Sequence, residues 1–134
     1  MNSYIVLVED DVDQLANYSY ALTKKGYTVA EYKSSNEVYL TLTVRPNLAL
    51  LDIHLGKDPD AGFDVYRWLQ NQYPGLPVIF LTSRTDEIDQ IFGLRLGAWD
   101  YLTKPISTTL LVEKVASILK RVNQEIISLD SVLT

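Results

Sequence analysis

Cysteine is absent from the whole 134-residue chain, which excludes a disulfide framework and any thiolate-ligated metal. That usage fits a reducing, cytoplasmic setting. Positive charge is also scarce, with 12 Lys and Arg against 17 Asp and Glu and a formal net charge of -5. Phosphate backbones are held by clustered cations, so no nucleic-acid surface is expected within these residues, and any contact with DNA would need another domain or partner. Long apolar runs are missing too. Asn2 and Glu9-Asp10 interrupt the N-terminal apolar stretch far short of membrane-spanning length, and the start lacks the basic region and cleavage site of a secretory signal. The chain reads as soluble and intracellular, with no membrane partner, internal repeat or low-complexity tract.

What is present is enough apolar material for one core. Hydrophobic residues make up 47% of the chain, and its length falls within the common single-domain range. β-branched and apolar clusters alternate with longer segments of helical period, the pattern of repeated βα units around a parallel sheet. Strands are expected over Tyr4–Val8, Thr28–Tyr32, Leu48–Leu51, Val78–Leu81 and Tyr101–Thr103.

Helical segments fill the intervals. Val12, Leu15, Ser19 and Leu22 recur at helical spacing before Lys24-Lys25-Gly26 stops the first helix. Ser34-Ser35-Asn36 offers caps for a short helix carrying Val38, Leu40 and Leu42, ended by Arg45-Pro46. A third helix is expected from Phe63 to Tyr73, burying some of Val65, Trp68 and Leu69 before Pro74-Gly75. Asp86 can cap a fourth with Ile88, Ile91, Phe92 and Leu96 as its apolar positions and Gly97 as its stop. Ser107 can cap a fifth, whose face is Leu111, Val115, Ile118, Leu119 and Val122. The fold class is therefore α/β, a doubly wound parallel sheet covered by helices.

In such a sheet, the residues closing successive strands meet along one edge. Here those residues are Glu9-Asp10, Asp52, Thr82-Ser83 and Lys104. Acidic residues after a strand also suit a helix N-terminus. Carboxylates from two adjacent strand ends, however, repel one another unless a hard cation lies between them, and Mg²⁺ takes one or two carboxylates with other oxygen ligands. Thr82 and Ser83 add hydroxyl donors and Lys104 an ammonium group, so the set matches a metal-assisted phosphoryl acceptor. Lys104-Pro105 adds the sequence of a cis-proline turn that can aim the lysine.

These residues resemble the receiver domain of two-component response regulators. The likeness runs from about Tyr4 to Val122 and rests on Glu9-Asp10, Leu51-Asp52, Leu81-Thr82-Ser83, the run Gly93 to Ala98, and Tyr101-Leu102-Thr103-Lys104-Pro105. It implies a flavodoxin-like sheet in the order 2-1-3-4-5 with five flanking helices. It further implies that Asp52 accepts a phosphoryl group from a sensor histidine kinase. Mg²⁺ would be held by Asp10, Asp52 and the backbone carbonyl of His54, with Glu9 acting through a water. Thr82, Ser83 and Lys104 would contact the phosphoryl group, and Thr82 and Tyr101 would form the switch. His54 and Arg84 occupy positions that tune loss of the acyl phosphate in this family; the His54 side chain itself reads as an exposed imidazole.

Three departures from the family pattern stand out. The loop from Ile53 to Gly62 has Gly56 where proline is usual and is longer before its glycine. Trp99 replaces an acidic residue of the winged-helix transcription-factor branch, and exposure on the output face is expected for it. On the dimer face of that branch, Asp100, Lys114 and Arg121 keep charges beside Trp99, while Gln90 and Leu110 stand where opposite charges would be. The resemblance thus implies a homodimer on activation through the fourth helix, fifth strand and fifth helix, more apolar than usual.

A receiver domain is expected over 1–123, with 124–134 as a helix extension or linker toward a DNA-binding domain in a longer parent. A stand-alone receiver working by protein contact is the alternative. A flavin-binding module of the same topology would need a hydroxyl-rich cradle where Glu9-Asp10-Asp11 stands. A phosphatase with an aspartate nucleophile would place that nucleophile after the first strand. The expected role is regulatory, an acceptor whose modification is the signal.

Overall fold

Periodicity of two along the strands divides the core. In a computed structural model of the chain, residues 3–133 are described, with side-chain environments through 126. The elements are β1 (Tyr4–Val8), α1 (Val12–Lys24), β2 (Thr28–Tyr32), α2 (Ser35–Thr41), β3 (Leu48–Leu51), α3 (Ala61–Gln72), β4 (Val78–Thr82), α4 (Glu87–Leu96), β5 (Asp100–Thr103) and α5 (Thr108–Leu133). All strand pairs are parallel, in the order β2-β1-β3-β4-β5. This is the flavodoxin-like α/β fold expected from the sequence.

Successive strand residues point to opposite faces. Val6, Val8, Ala49, Leu51, Val78 and Phe80 join α2 and α3 residues such as Val38, Val65 and Leu69. Ile5, Leu7, Leu48, Leu50, Ile79 and Leu81 join Leu15 and Leu22 of α1 and Leu111, Val115 and Ile118 of α5. Both faces of β1, β3 and β4 are therefore covered, which is why these strands read as continuous apolar runs. Each fully buried aliphatic side chain contributes roughly 1.5–3 kcal/mol, so the strand ends sit on a stiff platform.

Local chemistry sets the helix starts. Asp11 accepts from the Gln14 amide at 3.0 Å, Ser34 from Glu37 at 3.2 Å, Asp86 from Ile88 at 3.0 Å and Ser107 from Leu110 at 3.1 Å. Each such cap contributes about 1 kcal/mol. Gly97 closes α4 at φ +116°, a left-handed conformation that favours glycine.

Several expected apolar positions face outward. Val12 and Leu40 are exposed, and so are Ile88, Ile91 and Phe92 on α4. The reason lies in Gly93, the buried residue of that helix. A Cβ there would fall 3.0 Å from Tyr101 Cδ2 and 3.1 Å from Phe80 Cδ2, so α4 rests on the sheet through its glycine and turns larger side chains away. Leu96 is partly buried against the core, and Phe92 meets the edge of Phe63 at 4.8 Å. Trp99 also departs from expectation. It is half-buried against the α1–α5 core, with the Arg121 guanidinium 4.9 Å from its ring centroid.

Helix α5 continues past residue 123 to Leu133; side chains from 127 onward and Thr134 lie outside the described residues. Among the described residues no helix is long and apolar enough to cross a membrane.

Candidate functional site

Strand register brings the scattered residues together. Val8 pairs with Leu51 and Leu51 with Phe80, so the residues after β1, β3 and β4 leave the sheet side by side at its carboxyl edge. The Asp52 amide still donates to Val8 O at 3.0 Å, and the Glu9 amide to Tyr32 O at 3.0 Å, which fixes the main chain beneath both carboxylates. Thr82 and Thr103 pair across β4 and β5, and the Lys104 amide donates to Thr82 O at 2.8 Å. The Lys104–Pro105 peptide is cis, as its sequence anticipated.

One ammonium serves two acidic groups here. Lys104 Nζ donates to Asp52 Oδ2 at 2.7 Å and also to Glu9 Oε1. Asp52 Oδ1 in turn accepts from the Ile53 amide at 2.7 Å. Asp10 lies beside them, and carboxylate oxygens of Glu9, Asp10 and Asp52 all fall within 4.8 Å of one another. Three carboxylates against one lysine leave an excess of negative charge in a partly desolvated site. Burial pushes Glu9 up to about 7 despite its bond to Lys104, and the Asp52 charge adds to the rise. Burial pulls Lys104 down, but its bonds to Asp52 and Glu9 outweigh this and leave it raised. A divalent cation would relieve that excess, and an all-oxygen donor set suits Mg²⁺.

The extended loop takes part directly. Leu55 and Asp58 form an isolated antiparallel bridge, and Gly56, at φ +61°, donates its amide to Asp10 Oδ2 at 2.9 Å. The loop therefore folds toward the acidic edge. His54 is exposed, as expected, with Nε2 3.0 Å from Gly56 O. Behind Asp52, Gly62 allows an unusually close approach: a Cβ there would lie 2.1 Å from the Asp52 carbonyl oxygen.

Thr82 and Tyr101 stand apart from the pocket. Asp52, Lys104, Ser83, Asp10 and His54 line it, whereas Thr82 is fully buried and its Oγ1 accepts from the Arg84 amide at 3.3 Å. Tyr101 is also buried, and its hydroxyl donates to Arg84 O at 2.8 Å. Burial pushes that phenol up to about 12, which keeps it a donor. On the expected dimer face, Lys114 reaches Asp100 at 3.3 Å within the chain, and Arg121 covers Trp99.

Sequence reasoning placed Asp11, the α1 N-cap, only in the acidic run and missed Gln14 and Tyr18 of α1, which wall the pocket with it. Their spacing of three and seven residues places them on one helix face, a signal available in the sequence once α1 was placed. It also missed how fully Arg84 is engaged by Asp60 and Asp89.

A doubly wound parallel sheet with acidic strand ends and a lysine at its carboxyl edge defines a class of regulatory α/β domain. The chain belongs to the response regulator receiver domain family, whose model matches residues 5–116. A CheY-like response regulator receiver domain protein from Methanospirillum hungatei is 26% identical, with 93% of this chain and 99% of that one covered and a TM-score of 0.83. The beryllofluoride-activated DrrB receiver domain is 26% identical, covering 90% and 99%, with a TM-score of 0.82. The non-phosphorylated HemR receiver domain from Leptospira biflexa is 25% identical, covering 88% and 94%, with a TM-score of 0.81.

Proposed function

We propose that this chain is a phosphorylation-dependent switch in which Asp52 accepts a phosphoryl group from a sensor histidine kinase. The observation that carries this reading is Asp52 at the junction of β3 and its loop, bonded to Lys104 Nζ at 2.7 Å and grouped with Glu9 and Asp10. In the transfer, an Asp52 oxygen forms a P–O bond as the P–N bond to the donor imidazole breaks, and the departing nitrogen takes up a proton. Such transfers need positioning and charge neutralisation more than covalent help. Lys104 supplies a cation at the acceptor, and Ser83 adds a small hydroxyl side chain that leaves access open.

Asp10, Asp52 and the His54 carbonyl would hold Mg²⁺, with Glu9 acting through a water. Bound there, Mg²⁺ would neutralise charge on Asp52 and on the arriving phosphoryl oxygens. The modified Asp52 carries new charge and acceptor oxygens, which favour a conformer that draws in Thr82 and Lys104. Tyr101 transmits this to the α4–β5–α5 face. Kinase contact, action in the cytoplasm, homodimerisation through that face and transcriptional output through a separate DNA-binding domain complete the reading. The receiver unit spans 1–123, with 124–134 as a helix extension or linker.

Mass spectrometry after incubation with a small acyl phosphate and Mg²⁺ tests the central claim. One added phosphoryl group is expected, absent from Asp52→Asn and absent without the metal. A wild-type chain that stays unlabelled under conditions that label other receivers would overturn the assignment.

A further inference from the structure

Arg84 carries more bonds than its place in a surface loop requires. Its Nη1 donates to Pro59 O at 2.6 Å and to Asp60 Oδ1 at 2.7 Å. Its Nε and Nη2 grip Asp89 at 3.0 Å and 2.7 Å, a two-point carboxylate contact. The guanidinium also lies over Phe63, 5.5 Å from the ring centroid. One side chain thus ties the β3–α3 loop to the first turn of α4.

The main chain of the same residue touches both switch candidates. Its amide donates to Thr82 Oγ1 at 3.3 Å, and its carbonyl accepts from Tyr101 at 2.8 Å. Wherever the guanidinium is held, the partners of Thr82 and Tyr101 are held with it.

Asp60 occupies the N-cap position of α3 yet makes no side-chain cap bond. An aspartate there ordinarily stabilises its helix by bonding the first-turn amides. Here the carboxylate turns to Arg84. The loop is shaped for this, since Leu55 and Asp58 bridge it and the Asp60 amide donates to Asp58 Oδ1 at 2.9 Å. That geometry aims both the Pro59 carbonyl and the Asp60 carboxylate at one guanidinium. It gives the additional length of the loop before Gly62 a physical role.

We infer that Asp60 and Asp89 are positioning residues that act through Arg84 to hold Tyr101 in its inward rotamer, so that the extended β3–α3 loop sets the balance of the switch. The inference rests on the switch reading of Thr82 and Tyr101 given above. Asp89 is the stronger arm, being less exposed than Asp60, at 22% against 63%. The Asp60 arm is a fine adjustment, because solvent screens it.

Fluorine NMR of 3-fluorotyrosine installed at Tyr101 reads the rotamer balance directly. The wild-type chain and Asp64→Asn, a control at an exposed carboxylate paired with Arg67, are expected to show a predominantly buried resonance. Asp60→Asn is expected to raise the exposed-rotamer population about threefold, with the thermal midpoint unchanged. Asp89→Asn should raise it further. Combined with Arg84→Gln, neither substitution should add to the effect of Arg84→Gln alone. Arg84→Lys, which keeps the charge and loses the two-point contact, should fall between wild type and Arg84→Gln. An unchanged Tyr101 resonance in both Asp60→Asn and Arg84→Gln overturns the inference. Asp52 labelling by an acyl phosphate, measured on the same samples, separates the two readings. Labelling without a rotamer shift removes the clamp alone, and a rotamer shift without labelling removes the phosphoacceptor role alone.

Discussion

Lys104 Nζ and Asp52 Oδ2 lie 2.7 Å apart although 52 residues separate them along the chain. The contact exists because β5 and β3 end at the same edge, and it leaves the site unbalanced. Glu9 shares the same ammonium, and Asp10 adds a third carboxylate.

That imbalance makes Asp10→Asn a stabilising substitution. Asn retains an oxygen that can accept from the Gly56 amide, now 2.9 Å from Asp10 Oδ2, while one charge leaves the cluster. A gain of about 1 kcal/mol is expected without Mg²⁺, read as a rise of about 3 °C in the unfolding midpoint. The wild-type chain should rise on adding Mg²⁺ and the variant should not. A variant that melts at or below wild type in the absence of metal would refute the account of the site's charge.

Gly62 and Gly56 should separate crowding from backbone strain. A Cβ at Gly62 would meet the Asp52 carbonyl oxygen at 2.1 Å, whereas Gly56 has open space around it but sits at φ +61°. Gly62→Ala must push the main chain of Asp52 and Ile53 aside and should cost at least ~2 kcal/mol in urea unfolding. Gly56→Ala should cost about 1 kcal/mol, from its left-handed backbone alone. Equal costs would count against the packing argument. Phosphoryl labelling of Asp52 should also slow in the Gly62 variant, because the displaced atoms belong to the main chain of Asp52 itself.

The sheet was legible because each buried strand carries apolar residues on both faces, as Leu48–Leu51 does at four successive positions. The site was legible because chemistry-bearing residues follow those strands directly. Helix α4 was not, since periodicity marks where apolar residues lie and not which smaller residue makes the contact; Gly93 took the place that Ile88 and Ile91 were expected to fill. Trp99 was misjudged for a related reason, as Arg121, more than twenty residues further along the chain in α5, covers it. The Asp60–Arg84–Asp89 clamp depends on a loop bridge and a diverted cap, neither of which leaves a pattern in the residues.

Tyr101→Phe removes the donor to Arg84 O while keeping the ring packed near Phe80, whose centroid is 6.0 Å away. The part-buried carbonyl loses a partner, so stability should fall by about 1 kcal/mol. Labelling of Asp52 should persist, since the hydroxyl lies outside the acceptor pocket. A loss of labelling in this variant would mean that Tyr101 supports the chemistry and not only its transmission.

The dimer face carries the last prediction. Asp100 pairs with Lys114 and Trp99 stacks under Arg121 within one chain, so these groups have partners before any second copy arrives. Leu110 and Ile91 remain exposed on α5 and α4. If two copies associate through this face, apolar contact must supply more of the affinity than ion pairs. Sedimentation with Mg²⁺ and beryllofluoride is therefore expected to show a dimer whose affinity changes little when the salt concentration is raised. Leu110→Lys should return the protein to a monomer, and its stability should move by no more than ~0.5 kcal/mol because the position is exposed. A wild-type chain that sediments as a monomer with the phosphoryl mimic bound removes the dimer claim, and a dimer that dissolves in moderate salt would return the interface to its charges.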